Sequence, residues 1–502
     1  MKKRMLLLLL AALLLILVIG YGHIQPPPSV HPSPSPAAQS PSPAPEPSPV
    51  PERVTVFEPS CTEAGYALHE DLFAGSTYIV DGPPALGHLF ADGPACTRCG
   101  WQADPEIISE LPRIDLSGSM DGISKDQRIT LRFAYQSGNQ QFSCYAFTTW
   151  QGHSSLAYPK KNYTVRLYAD ESITQKYRLH LGNWQLEHKY ILKANYLDGS
   201  QVRNLIAARL WGDMAKTRPN LSARLRSTSN FGAVDGFPVT LWHNGVFQGL
   251  YTLNLHKDED LYGMGGTARD AVVIANARTM DESLFRAPAA FAEDVSDWEL
   301  EYCGTDEDNA WAKESFNDLI RFVISSDDET FRSGLSAHLD VESAIDYLLF
   351  LYVTGLEQNA AKDLVLIKYE GTPWMATVYD MEHAFGLSAD GSSALDPSLF
   401  LPSMGEGACS SGTDSLLWDR LLQLYAPEIR QRWQTLRQNV LAQDTLIAQA
   451  SALLNAIPPE ASEKDRALYP ERCLMENPDQ QILAYIQQRL SLLDAAFAQD
   501  AL

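Results

Sequence analysis

Basic side chains are scarce in this chain. Its 502 residues hold 39 lysines and arginines against 62 aspartates and glutamates, a formal charge of -23. A body this acidic has little with which to neutralise phosphates at scale, which argues against a nucleic-acid partner. A small basic pocket for a nucleotide is still compatible with that balance. The N-terminal leader also lacks two things. Lys2, Lys3 and Arg4 precede the apolar run MLLLLLAALLLILVIGYG, from Met5 to Gly22. No small-x-small cleavage site follows it, and no cysteine is placed for lipidation. Residues 1–24 therefore read as a signal anchor, a membrane helix that leaves the N-terminus inside and the body outside. The alternative is a cleaved leader and a secreted protein.

Residues 25–52 (QPPPSVHPSPSPAAQSPSPAPEPSPVPE) cannot bury a core and lean towards polyproline II, a semi-stiff stalk. Seven cysteines occur in the whole chain. Three fall in a small module over residues 53–104, where Cys96 and Cys99 form a CxxC knuckle. Cys61 and His88 complete a four-ligand set suited to a structural zinc, which would staple a segment too small to stabilise itself by burial. A disulfide plus one free thiol is the other reading for an oxidising compartment. The module's CTE-GY, ALGH and CTRCG elements resemble a short repeat of surface proteins in gut Firmicutes. Cys144, Cys303, Cys409 and Cys473 are scattered, and spacing does not pair them.

Length suggests two or three folded units. From about residue 105 strand and helix signals mix. RITLRFAY and NYTVRLY alternate as half-buried strands do, and FPVTLWHNGVFQGLYTLNLH predicts a hairpin turning at Asn244-Gly245. LVLIKYEGTPWMATVYD predicts a second hairpin, ending on Asp380. DGSQVRNLIAARLWGDM carries an apolar helical stripe, with Asp198 and Gln201 spaced as a capping box. DVESAIDYLLFLYVTG predicts a helix starting at Asp340. From about residue 411 three helical runs follow, so the class is α+β.

The stretch VYDMEHAFG (378–386) raises the chemical question. Asp380 and Glu382 at a strand end suit a divalent cation, or simply a polar turn. A metal-dependent hydrolase on Asp380, Glu382 and His383 is disfavoured, because D-x-E-H lacks the i,i+4 geometry of zinc-protease helices. Phosphoryl transfer asks for a cation that orients phosphates, a metal-holding carboxylate and a polar group near the attacking hydroxyl. The polar loop EQNAAKD (357–363), then a hairpin, then Asp380, follow a kinase-like order.

Four elements in order resemble the CotH kinase family of atypical protein kinases over roughly residues 115–400. They are QGHSSLAYPKKNYTVRLY, YILKANYLDGSQVRN, LWHNGVFQGLYTLNLHKDED and GLEQNAAKDLVLIKYEGTPWMATVYDMEHAFG. The resemblance implies a kinase-like domain over residues 105–502 that binds ATP with Mg2+ or Mn2+. It also implies phosphorylation of Ser or Thr on secreted or coat proteins. Carried over position by position, Asp380 is the metal-binding acid and Lys161 the lysine that orients phosphates. Gly152, Ser154 and Ser155 belong to a loop over the nucleotide, and Asp198 and Arg203 complete the cofactor-binding set. Asp363 and Glu382 are further metal ligands.

This sequence departs from the family pattern at several of these places. Gln358 stands where an Asp is expected near the attacking hydroxyl, and Gln cannot accept a proton. Asp363 replaces an Asn, Gln151-Gly152-His153 replaces a loop triplet with Arg first, and Leu255 stands where many members carry Glu. Two functions therefore compete: a surface-displayed kinase, and a catalytically degenerate pseudokinase serving as scaffold or binding module.

Overall fold

The structure, a computed structural model, describes residues 52–60, 65–71, 77–83, 98 and 111–498. Short breaks fall at 139, 183, 266–268, 276–278, 293–294, 305–308, 406–407 and 473–474. The leader, residues 25–51 of the stalk, and Cys61, His88, Cys96 and Cys99 lie outside the described residues. No helix among the described residues is long and apolar enough to cross a membrane.

Three short strands, β1 (Glu52–Phe57), β2 (Tyr66–Asp71) and β3 (Thr77–Asp81), come first. Of the described residues, 52–54, 69–71 and 77–78 group as one small unit. Within it the His69 and Tyr78 rings stack 4.7 Å apart, and both side chains hydrogen-bond the Glu52 carboxylate.

The larger unit contains a closed barrel of seven strands. These are β4 (Arg113–Ser117), β5 (Ile129–Ser137), β6 (Gln140–Gln151), β7 (Asn162–Tyr168), β8 (Lys189–Lys193), β9 (Gly236–His243) and β10 (Val246–Leu255). They run around the barrel in the order β10-β8-β7-β6-β5-β4-β9, antiparallel except where β4 meets β9. Alternation decides the two faces. Leu131, Phe133, Ala146, Val165 and Leu167 fill the interior, whereas Asn162, Thr164 and Arg166 of β7 point out of it. Asn244 and Gly245 both take positive φ (48° and 77°), the two-residue turn that matches strand twist in the expected hairpin.

A second sheet has the order β12-β11-β13-β14, from β11 (Ala271–Ala275), β12 (Trp298–Cys303), β13 (Val365–Lys368) and β14 (Met375–Thr377). Its hairpin is the expected one, but β14 stops at Thr377, so Asp380 lies in a loop three residues beyond the sheet. β15 (Ser403–Gly405) and β16 (Ala408–Ser410) form a small ribbon.

Ten helices are described: α1 (Arg203–Lys216), α2 (Ala223–Arg226), α3 (Ala310–Ser325), α4 (Asp328–His338), α5 (Val341–Thr354), α6 (Leu416–Leu424), α7 (Ala426–Arg437), α8 (Gln443–Leu454), α9 (Pro459–Leu468) and α10 (Pro478–Ala498). Asp340 caps α5 as expected, its carboxylate accepting from Ser343 N at 2.7 Å. Twelve of the 14 residues of α5 are buried, and it packs against β14, α1, α7 and α10, making it the central post of the second lobe. The capping-box reading needs correction. Helix α1 starts at Arg203 with Val202 as N-cap. Asp198 still accepts from Arg203 N (3.0 Å), but from five residues upstream across a turn in which Gln201 has φ 65°. The long run after Ser415 divides into α6 and α7 at Tyr425, because Pro427 opens the first turn of α7.

Candidate active site

One cavity of about 450 Å3 lies over the outer barrel face formed by β6, β7, β8 and β10, and reaches β12 and the loop after β14. Its walls come from backbone register. Thr149 faces Thr164, Thr164 faces Ile191, and Ile191 faces Asn254, so one lateral row crosses four strands. At the end of that floor the β6–β7 connection turns over. Gly152 has φ 112°, and a Cβ there would stand 2.0 Å from Ser155 Oγ, so the tight turn requires glycine. Asn162 ties the turn down, donating from Nδ2 to Ser155 Oγ (3.2 Å) and accepting Ala194 N at Oδ1 (2.7 Å).

Asp380 lines the same cavity. Its loop is held by side chains from α1: Asn204 Oδ1 accepts Met381 N (3.0 Å), and Arg203 donates to the carbonyls of Ala384 (3.1 Å) and Phe385 (3.2 Å). From α10, Gln481 donates to the same Phe385 carbonyl (2.9 Å). Asp363 (φ 62°), Asp380 (φ 47°) and Phe385 (φ 60°) all occupy the left-handed region. Non-glycine residues enter that region at some energetic cost, so backbone strain gathers around these acids.

The lysine that meets Asp380 is Lys193, the last residue of β8. Its Nζ lies 2.5 Å from Asp380 Oδ1 and 3.5 Å from Glu382 Oε2. Burial opposes the charge of Lys193, but Asp380 and Glu382 outweigh it and hold the ammonium above the ordinary lysine value. Burial likewise opposes the charge of Asp380, and there the Lys193 ammonium prevails and keeps the carboxylate below its usual range. Asp363 goes the other way. Burial, then the adjacent charge of Asp380, pushes its carboxyl up to about 7. Two carboxyls with separated affinities for protons therefore share one wall, the arrangement expected where acids are set close for a purpose.

Gly152, Ser154, Ser155, Asp363, Asp380 and Glu382 all line the cavity. Lys161, Gln358, Asp198 and Arg203 do not. The Lys161 ammonium donates to the carbonyls of Leu156 and Tyr158 (both 2.6 Å) and lies 5.2 Å from the centre of the Trp150 ring. It fastens the β6–β7 connection from behind. Asp198 and Arg203 are wholly buried and paired at 3.1 Å, so they brace the Asp380 loop without reaching the cavity. Gln358 is exposed, on the short 3-10 turn Glu357–Ala360. Its neighbour Asn359 turns inward instead and donates to Tyr379 O (2.9 Å). His153 and His383 divide: His153 is on the cavity rim, and His383 lies 3.7 Å from Glu382 Oε1.

Lys193, Asn204, Lys257 and Lys362 were not singled out by sequence. Lys193 had a signal, since it follows the apolar run Tyr190–Leu192 within YILKANYLDGSQVRN. Lys257 lies 2.9 Å from Glu301 and 4.4 Å from the centre of the Tyr379 ring, so it links the barrel to β12.

Among the described residues no group of three or more His, Cys, Asp or Glu side chains is gathered tightly enough to hold a metal alone. A comparison with curated proteins returns no match. A family model described as CotH kinase protein matches residues 149–493. The match starts later than the resemblance read from sequence and runs through the C-terminal helices. With that span including the turn, Lys193, Asp380 and the helices that hold them, the chain belongs to the CotH kinase family.

Proposed function

We propose that the cavity is a nucleotide site and that the protein transfers the terminal phosphate of ATP to Ser or Thr of secreted or coat proteins. The observation that carries this reading is the Lys193–Asp380 pair lining one cavity with the Gly152–Ser155 turn and Asp363. Lys193 is a point cation able to exchange Asp380 for a phosphate oxygen. The Gly152–Ser155 turn offers backbone N–H groups and hydroxyls at the rim. The donor set fits Mg2+ or Mn2+, because such ions in kinase-type sites take one or two carboxylates and complete their shell with water and phosphate oxygens. When bound by Asp380, with water and phosphate oxygens completing its shell, the cation would neutralise phosphate charge.

Gln358 can take no proton and lies off the cavity, so we assign no base role to it. Asp363 is the better placed group. Its carboxyl lines the cavity beside Asp380, where a carboxylate can act on a hydroxyl brought to the phosphates. Positioning and charge stabilisation dominate phosphoryl transfer, so loss of an Asp at position 358 is tolerable. The surface position of Gln358 favours a second reading, a nucleotide-binding scaffold without transfer. The basic-then-apolar leader and the Pro/Ser tract support display outside the membrane. Cys61, His88, Cys96 and Cys99 support a structural zinc.

Transfer of labelled phosphate from ATP to the chain itself or to a dephosphorylated acceptor protein, with Mg2+ or Mn2+, decides between the readings. The kinase reading expects incorporation that Asp380→Ala abolishes and Asp363→Asn lowers at least tenfold. Nucleotide binding with no incorporation would leave the scaffold, and equal incorporation by wild type and Asp380→Ala would defeat the site.

A further inference from the structure

Three of the cations that line the cavity form no ion pair with the acids that line it. Lys193, Lys257 and Lys362 each have a carboxylate partner, at 2.5, 2.9 and 3.7 Å. Lys125, Arg128 and Arg166 line the same cavity, and no ion pair to them occurs among the described residues. Arg166 is held by its strand. It follows Asn162 and Thr164 on the outward face of β7, and its Nη1 is buried without a hydrogen-bond partner. Arg128 leads directly into β5, where Ile129 pairs with Thr148 of β6. Its guanidinium lies 5.6 Å from the centre of the Phe147 ring, and Phe147 is the cross-strand partner of Arg166. Two guanidinium groups thus neighbour one another; the charge of Asp258 reaches Arg166, but that carboxylate is paired with Lys189 at 3.2 Å and forms no ion pair with either guanidinium. In a chain with 23 more acids than bases, that arrangement calls for an external anion.

Lys125 completes the row at the turn. Its Nζ donates to His153 Nε2 at 3.1 Å, and the preceding Ser124 accepts Trp150 N (3.1 Å), which fixes the segment alongside β6. The cation that Gln151-Gly152-His153 lacks is therefore brought to its tip by another part of the chain. Lys125 and Arg128 precede residue 149, where the family match begins.

We infer that Lys125, Arg128 and Arg166 form an oligophosphate-binding wall, which holds the phosphate chain of the nucleotide by direct contacts that need no divalent cation. The inference rests on the nucleotide reading for the identity of its ligand but not for its chemistry. A guanidinium binds phosphate through paired N–H donors in a fixed fork, and two adjacent forks suit successive phosphates better than a single charge.

The test is calorimetric titration of the full-length protein with inorganic tripolyphosphate in EDTA, followed by ATP with Mg2+. Tripolyphosphate should bind the wild type, and Arg128→Gln and Arg166→Gln should each weaken it at least tenfold. Lys125→Gln should weaken it severalfold, and the exposed Arg466→Gln should leave it unchanged. Lys125 and Arg128 are exposed, so their variants should melt as the wild type does and keep the test valid if Arg166→Gln folds poorly. Tripolyphosphate affinity unchanged in Arg128→Gln and Lys125→Gln, or absent in the wild type, overturns the wall. Binding of ATP with Mg2+ that ignores Arg128→Gln also overturns it while sparing the nucleotide reading. Loss of tripolyphosphate binding in the variants, with no ATP binding by the wild type, upholds the wall and defeats the nucleotide reading.

Discussion

Lys193 and Lys161 share a strand-end setting, yet their surroundings give them different work. The Lys161 ammonium is tied to two carbonyls of its own turn, while Lys193 is held by two carboxylates that a cation can claim, freeing the ammonium for a phosphate. Lys193→Met should therefore reduce ATP affinity at least tenfold, with Lys161→Met changing it less than threefold; isothermal titration reads both. Lys193→Met also removes the cation paired with Asp380 and leaves only the more distant Lys362 near the two acids, which should lower stability by about 1–3 kcal/mol in denaturant unfolding. A second residue-scale prediction concerns Glu187. Burial pushes its carboxyl up to about 7, against a hydrogen bond from Gln185. The folded state then binds more protons than the unfolded chain between about pH 4.3 and 7, so this group's contribution to stability falls as pH rises through that window. Glu187→Gln should be neutral at pH 4 and stabilising at pH 8, by on the order of 1 kcal/mol after solvent screening.

Asp380 was legible because a run of apolar residues ended in acids at a recognisable motif, and a motif survives being read as a line. Lys193 was less so. What selects it over Lys160 and Lys161 is β7–β8 pairing and the approach of a loop 187 residues later. Sequence spacing carries neither.

At the scale of elements, the C-terminal helices are joined to the barrel by buried charge. Asp465 of α9 lies 2.9 Å from Lys160 and 2.7 Å from Arg472, and accepts Leu250 N of β10 at 2.9 Å. Gly249 makes room for it, since a Cβ there would stand 2.4 Å from the Asp465 carboxylate. Lys160 is also fully buried, its pKa lowered to about 8 by burial against the pull of Asp465. Removing the central anion strands two cations, so Asp465→Ala should cost about 3–5 kcal/mol. Lys160→Met leaves the Asp465–Arg472 pair intact and should cost less, about 1–2 kcal/mol; chemical denaturation of both variants checks the order. The hairpins and α5 were readable from Asn244-Gly245, Asp340 and local periodicity. The dependence of the β9–β10 hairpin on a helix more than 200 residues later was not, because Gly249 reads as turn chemistry until α9 is seen against it.

For the whole molecule, net acidity and a cavity lined with basic side chains coexist through segregation. The net charge of -23 is spread over the body, while Lys125, Arg128, Arg166 and Lys193 line one cavity between the barrel and the second sheet. Composition alone could show only that such a pocket must be small. The α+β class was readable from strands leading and helices following, and the family from four ordered motifs. The part played by residues 111–148 was hidden, because they carry no motif and act by closing the barrel and setting two cations on its outer face.

The central claim is that Lys193 and Asp380 meet on the phosphates of a metal-bound nucleotide. Its most direct test is thermal unfolding of the wild-type chain and of Asp380→Asn with millimolar ATP, in Mg2+ and in EDTA. Ligand at 100 times its dissociation constant stabilises a folded state by about 2.7 kcal/mol, a shift of several degrees or less in a domain this large. The account predicts a larger ATP-induced rise with Mg2+ than with EDTA in the wild type, and no Mg2+-dependent increment in Asp380→Asn. An identical Mg2+ increment in both proteins, or no response of the wild type to ATP under either condition, would contradict it.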